Sequence, residues 1–595
     1  MIHFIFYDKE PRYLFLKYDS KEDEVWLKSS KKHINLTDHI NLIDPICYLP
    51  SWGNRIKITQ DFLFEYVQPT GQKVYYCAIG LWQVIYKFFK ENNVEFDGLL
   101  ENQNFFKLPI KHSFEEFKNI VDSWGLDRTP RPYQYECAYK ILQYKQSVSQ
   151  LATRGGKTLL AYIVFRYAYE YMGVKKILMI VPSIQLVQQG YNDFNEYAEF
   201  FKTECIWGGG KLVESSNLTI GTFQSLIKFL EKTTPKHKPN PKYNPSFFDD
   251  YDLVFVDETH RATAEQIKTI ISQPFMKNVK LSFGMTGTLP KPKTIEYYCL
   301  HSLLGAKIQE IRPKKLMDEG YISDVFIKQV QLNYIDNDNL DDLFIKCCEY
   351  VISDYVLDKD KKGRNVKIKL QDPQFLMQHV KKLPDGVQIS KNSLLQKYKD
   401  DQHEFKKQYI KLLEKLVKDS ETSNMLFIEK MMTHFLDQRI EYLCNNILPS
   451  CDKNTLILSH HTEYIKYYAQ IIKERFPNRH IDIITGAIRP KKREQIKQML
   501  KDNNDCILIA SYGCMSTGIT LSNLCYGILF ESFKSEIINM QSIGRGLGLS
   551  DLKDKYILYD IIDCFPTKKL YLQALQKIKM YNNEEYPYTI IKEYI

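Results

Sequence analysis

Two short runs carry the side chains that phosphate chemistry needs. The first, Leu151-Ala152-Thr153-Arg154-Gly155-Gly156-Lys157-Thr158, ends in two glycines, a lysine and a hydroxyl residue. Glycines at 155 and 156 let a backbone turn tightly and aim N–H groups at phosphate oxygens. Lys157 has the reach for β- and γ-phosphates, and the Thr158 hydroxyl can ligate Mg²⁺. The usual first glycine of this pattern is replaced by Leu151, and a Gly-Gly-Lys-Thr tetrapeptide alone is more often an ordinary turn. Trp207-Gly208-Gly209-Gly210-Lys211, with no hydroxyl residue after its lysine, reads as such a turn. The second run supports the first. Asp252-Leu253-Val254-Phe255-Val256-Asp257-Glu258-Thr259-His260 is an apolar stretch that ends in two carboxylates. Asp257 would hold the Mg²⁺ shell and Glu258 would polarise an attacking water.

These residues must be held by strands and helices of the right kind. From about residue 130, short β-rich runs alternate with helical ones, as in a parallel sheet. The expected strands are Val148–Ala152, Ile177–Val181, Leu218–Gly221, Leu253–Asp257 and Leu281–Met285. A helix over Leu159–Tyr171, capped by Gly173, sits directly after the phosphate loop, where its N-terminus adds positive potential. A second α/β pattern runs through Thr455–Ser459, Ile481–Ile484, Cys506–Ala510, Tyr526–Phe530 and Tyr556–Asp560. Residues 335–425, with mixed charge and helical spacing, read as a helical insertion or connector. The first 110 residues suggest a small α/β domain with a helix over 78–90, joined to the rest by an amphipathic helix over 114–126. Thr233–Ser246 holds Pro235, Pro239, Pro241 and Pro245 among Lys236, His237, Lys238 and Lys242, and is expected to be an exposed loop.

Further motifs follow in a fixed order, and with them the chain resembles superfamily 2 helicases. Arg131-Pro132-Tyr133-Gln134 resembles the adenine-recognising element of that superfamily, since a glutamine amide offers the donor and acceptor an adenine edge requires. Ile180-Val181-Pro182-Ser183 and Thr219-Ile220-Gly221-Thr222-Phe223-Gln224 resemble its strand-gripping motifs. Gly284-Met285-Thr286-Gly287-Thr288-Leu289 resembles the element that links hydrolysis to movement. Ala510-Ser511-Tyr512-Gly513-Cys514-Met515-Ser516-Thr517-Gly518 and Gln541-Ser542-Ile543-Gly544-Arg545 complete the set. Phe283–Leu289, Lys315–Gly320, Ala510–Gly513 and the front segment Trp52-Gly53-Asn54-Arg55-Ile56-Lys57 are similar to phage UvsW-type helicases, relatives of the XPB and RecG motors.

The resemblance implies an α/β fold of two RecA-like parallel-sheet lobes with a small N-terminal α/β domain and a helical insertion. Its expected bounds are 1–112, 113–330, 331–440 and 441–595. It implies a DNA-dependent ATPase that moves forked or branched junctions in recombination, repair or replication restart. The catalytic set would be Lys157, Asp257, Glu258 and Arg545. ATP would be held by Tyr133, Gln134, Thr153, Arg154, Gly155, Gly156, Lys157, Thr158, Gly518, Gln541 and Arg545, with Mg²⁺ on Thr158 and Asp257. His260, Thr286 and Thr288 would couple hydrolysis to movement. Ser183, Gly221, Thr222, Ser511 and Thr517 would meet nucleic-acid phosphates, and Trp52, Arg55 and Lys57 a strand or junction. One departure concerns catalysis: the superfamily's Gln-x-x-Gly-Arg-x-x-Arg ends here in Gly548.

Composition narrows the alternatives. The 595 residues are 44% hydrophobic and 26% charged, ordinary for a globular protein, and the net charge of +9 permits a polyanionic partner without requiring one. No basic leader precedes an apolar run and no long uncharged stretch exists, so an intracellular protein off the membrane is expected, as a monomer. The 13 cysteines include no CxxC pair, which argues against structural zinc. RNA remains an alternative substrate, because phosphate-gripping lobes do not read the sugar. A restriction-system motor is disfavoured by the lack of a PD-(D/E)xK pattern. A protein impaired in hydrolysis stays open through Leu151, Arg154 and Gly548.

Overall fold

A computed structural model describes the chain apart from residues 8–11, 35, 44–49, 61, 69–72, 100–105, 198–199, 208–215, 234–237, 262–264, 336, 358–401, 420–424, 487, 489, 516–522 and 532–534; within 30–60 and at scattered positions elsewhere only the backbone is described. The glycine-rich run after Trp207 and part of the loop after Thr233 therefore lie outside the described residues. Two compact units emerge, one of residues 1–39 and 57–316, the other of 40–56 and 317–595.

The first unit begins with a five-stranded sheet in the order Phe64–Val67, Lys73–Ala78, Tyr13–Tyr18, Ile2–Ile5, Phe96–Asp97. Period-two alternation turns Leu14, Leu16, Ile2 and Phe4 inward, where Leu27, Ile85 and Phe89 from the helices Lys21–Ile34 and Trp82–Glu91 cover them. The same core takes in Ile295, Tyr298 and Cys299. The helix expected over 78–90 starts at Trp82, after a 3₁₀ turn at Ile79–Leu81. A side chain at Gly80 would run into the His301 carbonyl, so only glycine lets this turn pack against the helix Ile295–Leu304. The helix expected over 114–126 ends at Asp122; Ser113 and Glu116 cap its start.

A seven-stranded sheet follows, ordered Thr203–Ile206, Leu218–Thr222, Ile177–Val181, Leu253–Asp257, Leu281–Thr286, Gln146–Leu151, Ala306–Ile311. Every pairing is parallel. All carboxyl ends therefore share one edge, which is where open parallel sheets bind ligands. The five expected strands are present, with the first at Gln146–Leu151. The two that sequence reading misses are edge strands: Ala306–Ile311 buries only its end residues, and Thr203–Ile206 is four residues long.

The second unit holds another all-parallel sheet, ordered His480–Ile484, Cys506–Ser511, Thr455–Ser459, Tyr526–Leu529, Lys555–Cys564, Asp324–Asn333, Tyr588–Tyr594. This corrects one expectation: a boundary at 330 cuts the strand Asp324–Asn333, which belongs to the second sheet and not the first lobe. Its alternating Val325, Ile327, Gln329, Gln331 is buried between two partners, so polar residues there need sheet neighbours that local pattern does not reveal. The described helices of the insertion, Asn337–Leu357, Gln402–Asp419, Met425–Thr433 and Asp437–Tyr442, pack Phe344, Cys347, Cys348, Tyr409 and Met431 into the core of this sheet. Arg439, fully buried, fixes the last of them through Asp563 at 2.8 Å and the Phe530 carbonyl. Among the described residues no helix is long and apolar enough to cross a membrane.

Candidate active site

The phosphate loop is a tight structure even without a ligand. Leu151 closes its strand fully buried, so the position where the motif usually has glycine here carries a core side chain. The loop then turns through Arg154 at φ +66° and Gly156 at φ +70°, and the helix Lys157–Tyr171 begins. A left-handed backbone costs a non-glycine residue about 1 kcal/mol or more, so Arg154 must be held there. Its carbonyl accepts from Arg131 Nη1 at 3.2 Å. Tyr133 Oη donates to the Gly155 carbonyl at 2.8 Å, and Gln134 Nε2 to the Gly156 carbonyl at 3.0 Å. Gln134 Oε1 accepts from the Arg131 N–H at 2.8 Å. The element read as an adenine reader is thus also the brace of the loop. A Cβ at Gly156 would overlap the Gln134 amide, so this glycine is required by space as well as by φ. Arg131, left out of the sequence-derived set, is the missed residue; its place beside Tyr133 and Gln134 was the available signal.

Opposite the loop, Lys157 Nζ lies 2.7 Å from Glu258 Oε1, both side chains part-buried. The pair is more than a surface ion pair, because poorer solvation strengthens it. Glu258 adopts φ +51°. Burial alone would raise its carboxyl, but the Lys157 ammonium and His260 hold it well below the usual range. Asp257 behaves oppositely: burial pushes it up to about 6, against the pull of Lys157 and with the Glu258 charge adding to the rise. Its Oδ1 accepts the Glu258 N–H at 2.9 Å. A polar chain runs on from Glu258. Oε2 is 3.3 Å from His260 Nδ1 and 3.4 Å from Thr286 Oγ1, which is itself 2.9 Å from His260 Nδ1 and accepts the Thr288 N–H at 3.3 Å. Gly287 lies beside Thr153, closing the circle back to the phosphate loop. So Thr153, Lys157, Asp257, Glu258, His260, Thr286 and Thr288 are brought together from three neighbouring strand ends.

Other expected residues have different surroundings. Thr222 is buried, and its hydroxyl accepts the Ser225 N–H at 3.3 Å, capping the helix Phe223–Leu226. Its side chain is committed, which corrects the expectation of a hydroxyl offered to phosphate. Ser183 accepts the Leu186 N–H at 3.4 Å, and Gly221 is buried against Leu226. In the second unit Ser511 is buried at a strand end. Gln541 and Arg545, four residues apart on the helix Glu536–Gly546, share one face and are half-buried, while Ser542, Ile543 and Gly544 between them are buried. Thr517 and Gly518 lie outside the described residues, as do the side chains of Trp52, Arg55 and Lys57.

Known proteins share this arrangement of sequence. Residues 127–291 match the family described as type III restriction enzyme, res subunit, and 438–547 match the helicase conserved C-terminal domain. The ATP-dependent DNA helicase uvsW of Enterobacteria phage T4 is 24% identical over 505 residues, 81% of each chain. In both regions the chain is similar to superfamily 2 helicases. A probable helicase A859L of African swine fever virus is 24% identical over 233 residues, 36% of this helicase and 26% of that protein. A crystal structure of T4 UvsW aligns over 100% of this chain and 99% of its own, at 19% identity and a TM-score of 0.39; the assignment rests on the sequence matches. The helicase is therefore an ATP-dependent enzyme of UvsW type.

Thr158 and Asp257 would be the residues to hold Mg²⁺: both offer hard oxygen, and two protein ligands would suit an ion that takes the rest of its shell from phosphates and water. Such an ion would neutralise charge on the β- and γ-oxygens.

Proposed function

We propose that this helicase is a DNA translocase that uses ATP and Mg²⁺ to remodel forked or branched DNA in recombination, repair or replication restart, as a monomer in the cytoplasm, the host's if the chain is viral. The match along 81% of the chain to a protein named as a DNA helicase supports DNA over RNA. The observation that carries the motor reading is the Lys157–Glu258 pair. In this pair the two charges satisfy each other. An incoming γ-phosphate draws Lys157 away, and Glu258 is left to orient a water. Loss of that pairing is felt at His260 and Thr286, which contact Glu258 directly, and through Thr286 at Thr288. On nucleic acid, backbone N–H groups near Ser183 and Gly221, with Ser511 and Thr517, grip phosphates; such contacts carry no sequence information, which suits a translocase. Gln541 and Arg545, on one helix face, are the second unit's candidates for nucleotide contact. Trp52, Arg55 and Lys57 supply a stacking and phosphate contact to a strand or junction.

Comparing ATPase stimulation by single-stranded DNA, forked DNA and RNA tests the substrate; strongest stimulation by forked DNA is expected, and stimulation by RNA alone would overturn it. Lys157→Ala is expected to weaken nucleotide binding, whereas Glu258→Gln keeps binding and lowers turnover by about 10²–10⁴. Wild-type turnover in either variant removes the assigned site.

A further inference from the structure

The strand that carries the phosphate loop at its carboxyl end starts, roughly 17 Å away along the chain, at the wall of a second cavity. This cavity, about 330 Å³, lies between the N-terminal sheet domain and the first lobe. That volume is within the usual range for small-molecule sites. Its walls are fixed by backbone hydrogen bonds: Lys145 N donates to the Phe106 carbonyl at 3.0 Å, Leu108 N to Gln143 at 2.7 Å and Ile79 N to Arg12 at 2.8 Å. Gly80, packed with no room for a side chain, closes one side. The cavity is thus formed before any ligand arrives.

Its chemistry is uneven in an informative way. Trp82 and Phe106 stack with centroids 5.0 Å apart and planes 12° from parallel, giving a flat aromatic wall. Arg12, Lys145 and Lys277 also line it, and among the described lining residues there is no carboxylate. Lys280, also in the lining, pairs with Asp252 at 3.3 Å. Arg12 Nε is buried without a hydrogen-bond partner. A buried donor left unmade is costly, and a ligand acceptor would remove that cost. Gln146 and Asn278 add side-chain amides, each both donor and acceptor. Inorganic phosphate alone would leave the aromatic wall bare, and a purely apolar ligand would leave the buried Arg12 donor unmet.

We propose that this cavity binds a nucleoside monophosphate unit, separate from the ATP site, with the base against the Trp82–Phe106 stack and the phosphate against Arg12 and Lys145. The unit comes either as a free nucleotide or as the phosphorylated end of a strand. The lining residues Gln146 and Lys280 adjoin the starts of the strands that end at the phosphate loop and at Thr286, so an occupant touches both.

The test is equilibrium dialysis of the full-length protein, with saturating ADP in the phosphate loop, against GMP, a 5′-phosphorylated trinucleotide and inorganic phosphate. One additional equivalent is expected, weakened roughly tenfold or more by Arg12→Ala and by Trp82→Leu. Lys157→Ala should leave that equivalent in place. Should Trp82→Leu unfold the domain joint by circular dichroism, Lys145→Gln supplies the charge arm, again with roughly tenfold weakening expected. Binding of GMP assigns a free nucleotide, and binding of the trinucleotide alone assigns a strand end. No additional equivalent of either, an equivalent lost in Lys157→Ala but kept in Arg12→Ala, or phosphate binding as tightly as GMP overturns the proposal.

Discussion

Asp257 is ionised at neutral pH at the expense of the fold. Its carboxyl is raised by burial to about 6, above the unfolded value near 4. Between those values the folded chain binds more protons than the unfolded one, so this group's contribution to stability falls as pH rises through the window. Asp257→Asn should therefore raise the Tm of the nucleotide-free protein near neutral pH by a few degrees, with the gain vanishing below about pH 4, where the native carboxyl is neutral too. The same variant should lose ATPase activity; a lower Tm near neutral pH would refute the burial argument. Gly548 poses the opposite question, of a group that is missing. Two lysines follow in sequence, but Lys553 Nζ donates to the Leu524 carbonyl at 2.6 Å and to the Gly546 carbonyl, while Lys555 lies over the Phe326 ring. Neither is positioned as a substitute, which favours slow hydrolysis. Gly548→Arg should raise kcat at saturating ATP by roughly tenfold or more, within the ceiling of 10³–10⁵ that an arginine finger supplies in GTPases. A fast wild type that the change leaves unaltered would make Arg545 the working group. At this scale the sequence was most legible where chemistry follows from side-chain type, as at Lys157, Asp257 and Glu258. It hid what backbone geometry decides: the left-handed Arg154, the committed hydroxyl of Thr222, and the bracing role of Arg131 and Gln134.

The helix Glu536–Gly546 shows how an element holds its functional face. Ser535 caps its start, and its last residue is glycine because a methyl at 546 would overlap the Tyr556 ring. That close approach fixes the helix on the second sheet and sets where Gln541 and Arg545 stand. Gly546→Ala should destabilise the second unit by about 1–3 kcal/mol and reduce kcat through Arg545, and Tyr556→Leu in the same chain should restore part of both. Urea denaturation with ATPase assays would decide it, and an unaltered midpoint in the single variant would refute the packing argument. Strands were readable in proportion to their burial. Ile177–Val181 is apolar and buried throughout, Leu253–Asp257 is so up to its final carboxylate, and the sequence reading gives both to the residue. Ala306–Ile311, at a sheet edge, keeps a mixed pattern that resembles loop or helix. Asp324–Asn333 was lost because its buried glutamines are satisfied by Asp560 and by each other, partners more than two hundred residues away or beside it on the same strand.

At the level of the whole molecule, the front domain is not an appendage to the first lobe. Its core runs without a break into Ile295, Tyr298 and Cys299, so removal of residues 1–112 should strip these side chains of cover, lower the Tm of the remainder and promote aggregation. A truncated chain as soluble and as stable as the parent would show the two to be independent. The proposed DNA contact at Trp52, Arg55 and Lys57 is therefore better probed by point changes than by truncation, read as affinity for forked DNA. The place of Asp324–Asn333 in the second sheet also bears on synthesis. The first parallel sheet has all its strands once Ile311 has emerged, whereas Asp324–Asn333 finds its first partner only with Lys555–Cys564, about 220 residues later. At the usual pace of translation this is roughly 10–45 s during which a strand able to pair on both sides waits on the ribosome. One half of the motor can thus be finished while the other is still an open edge, and the nascent second lobe is the stage at which this protein depends most on chaperones.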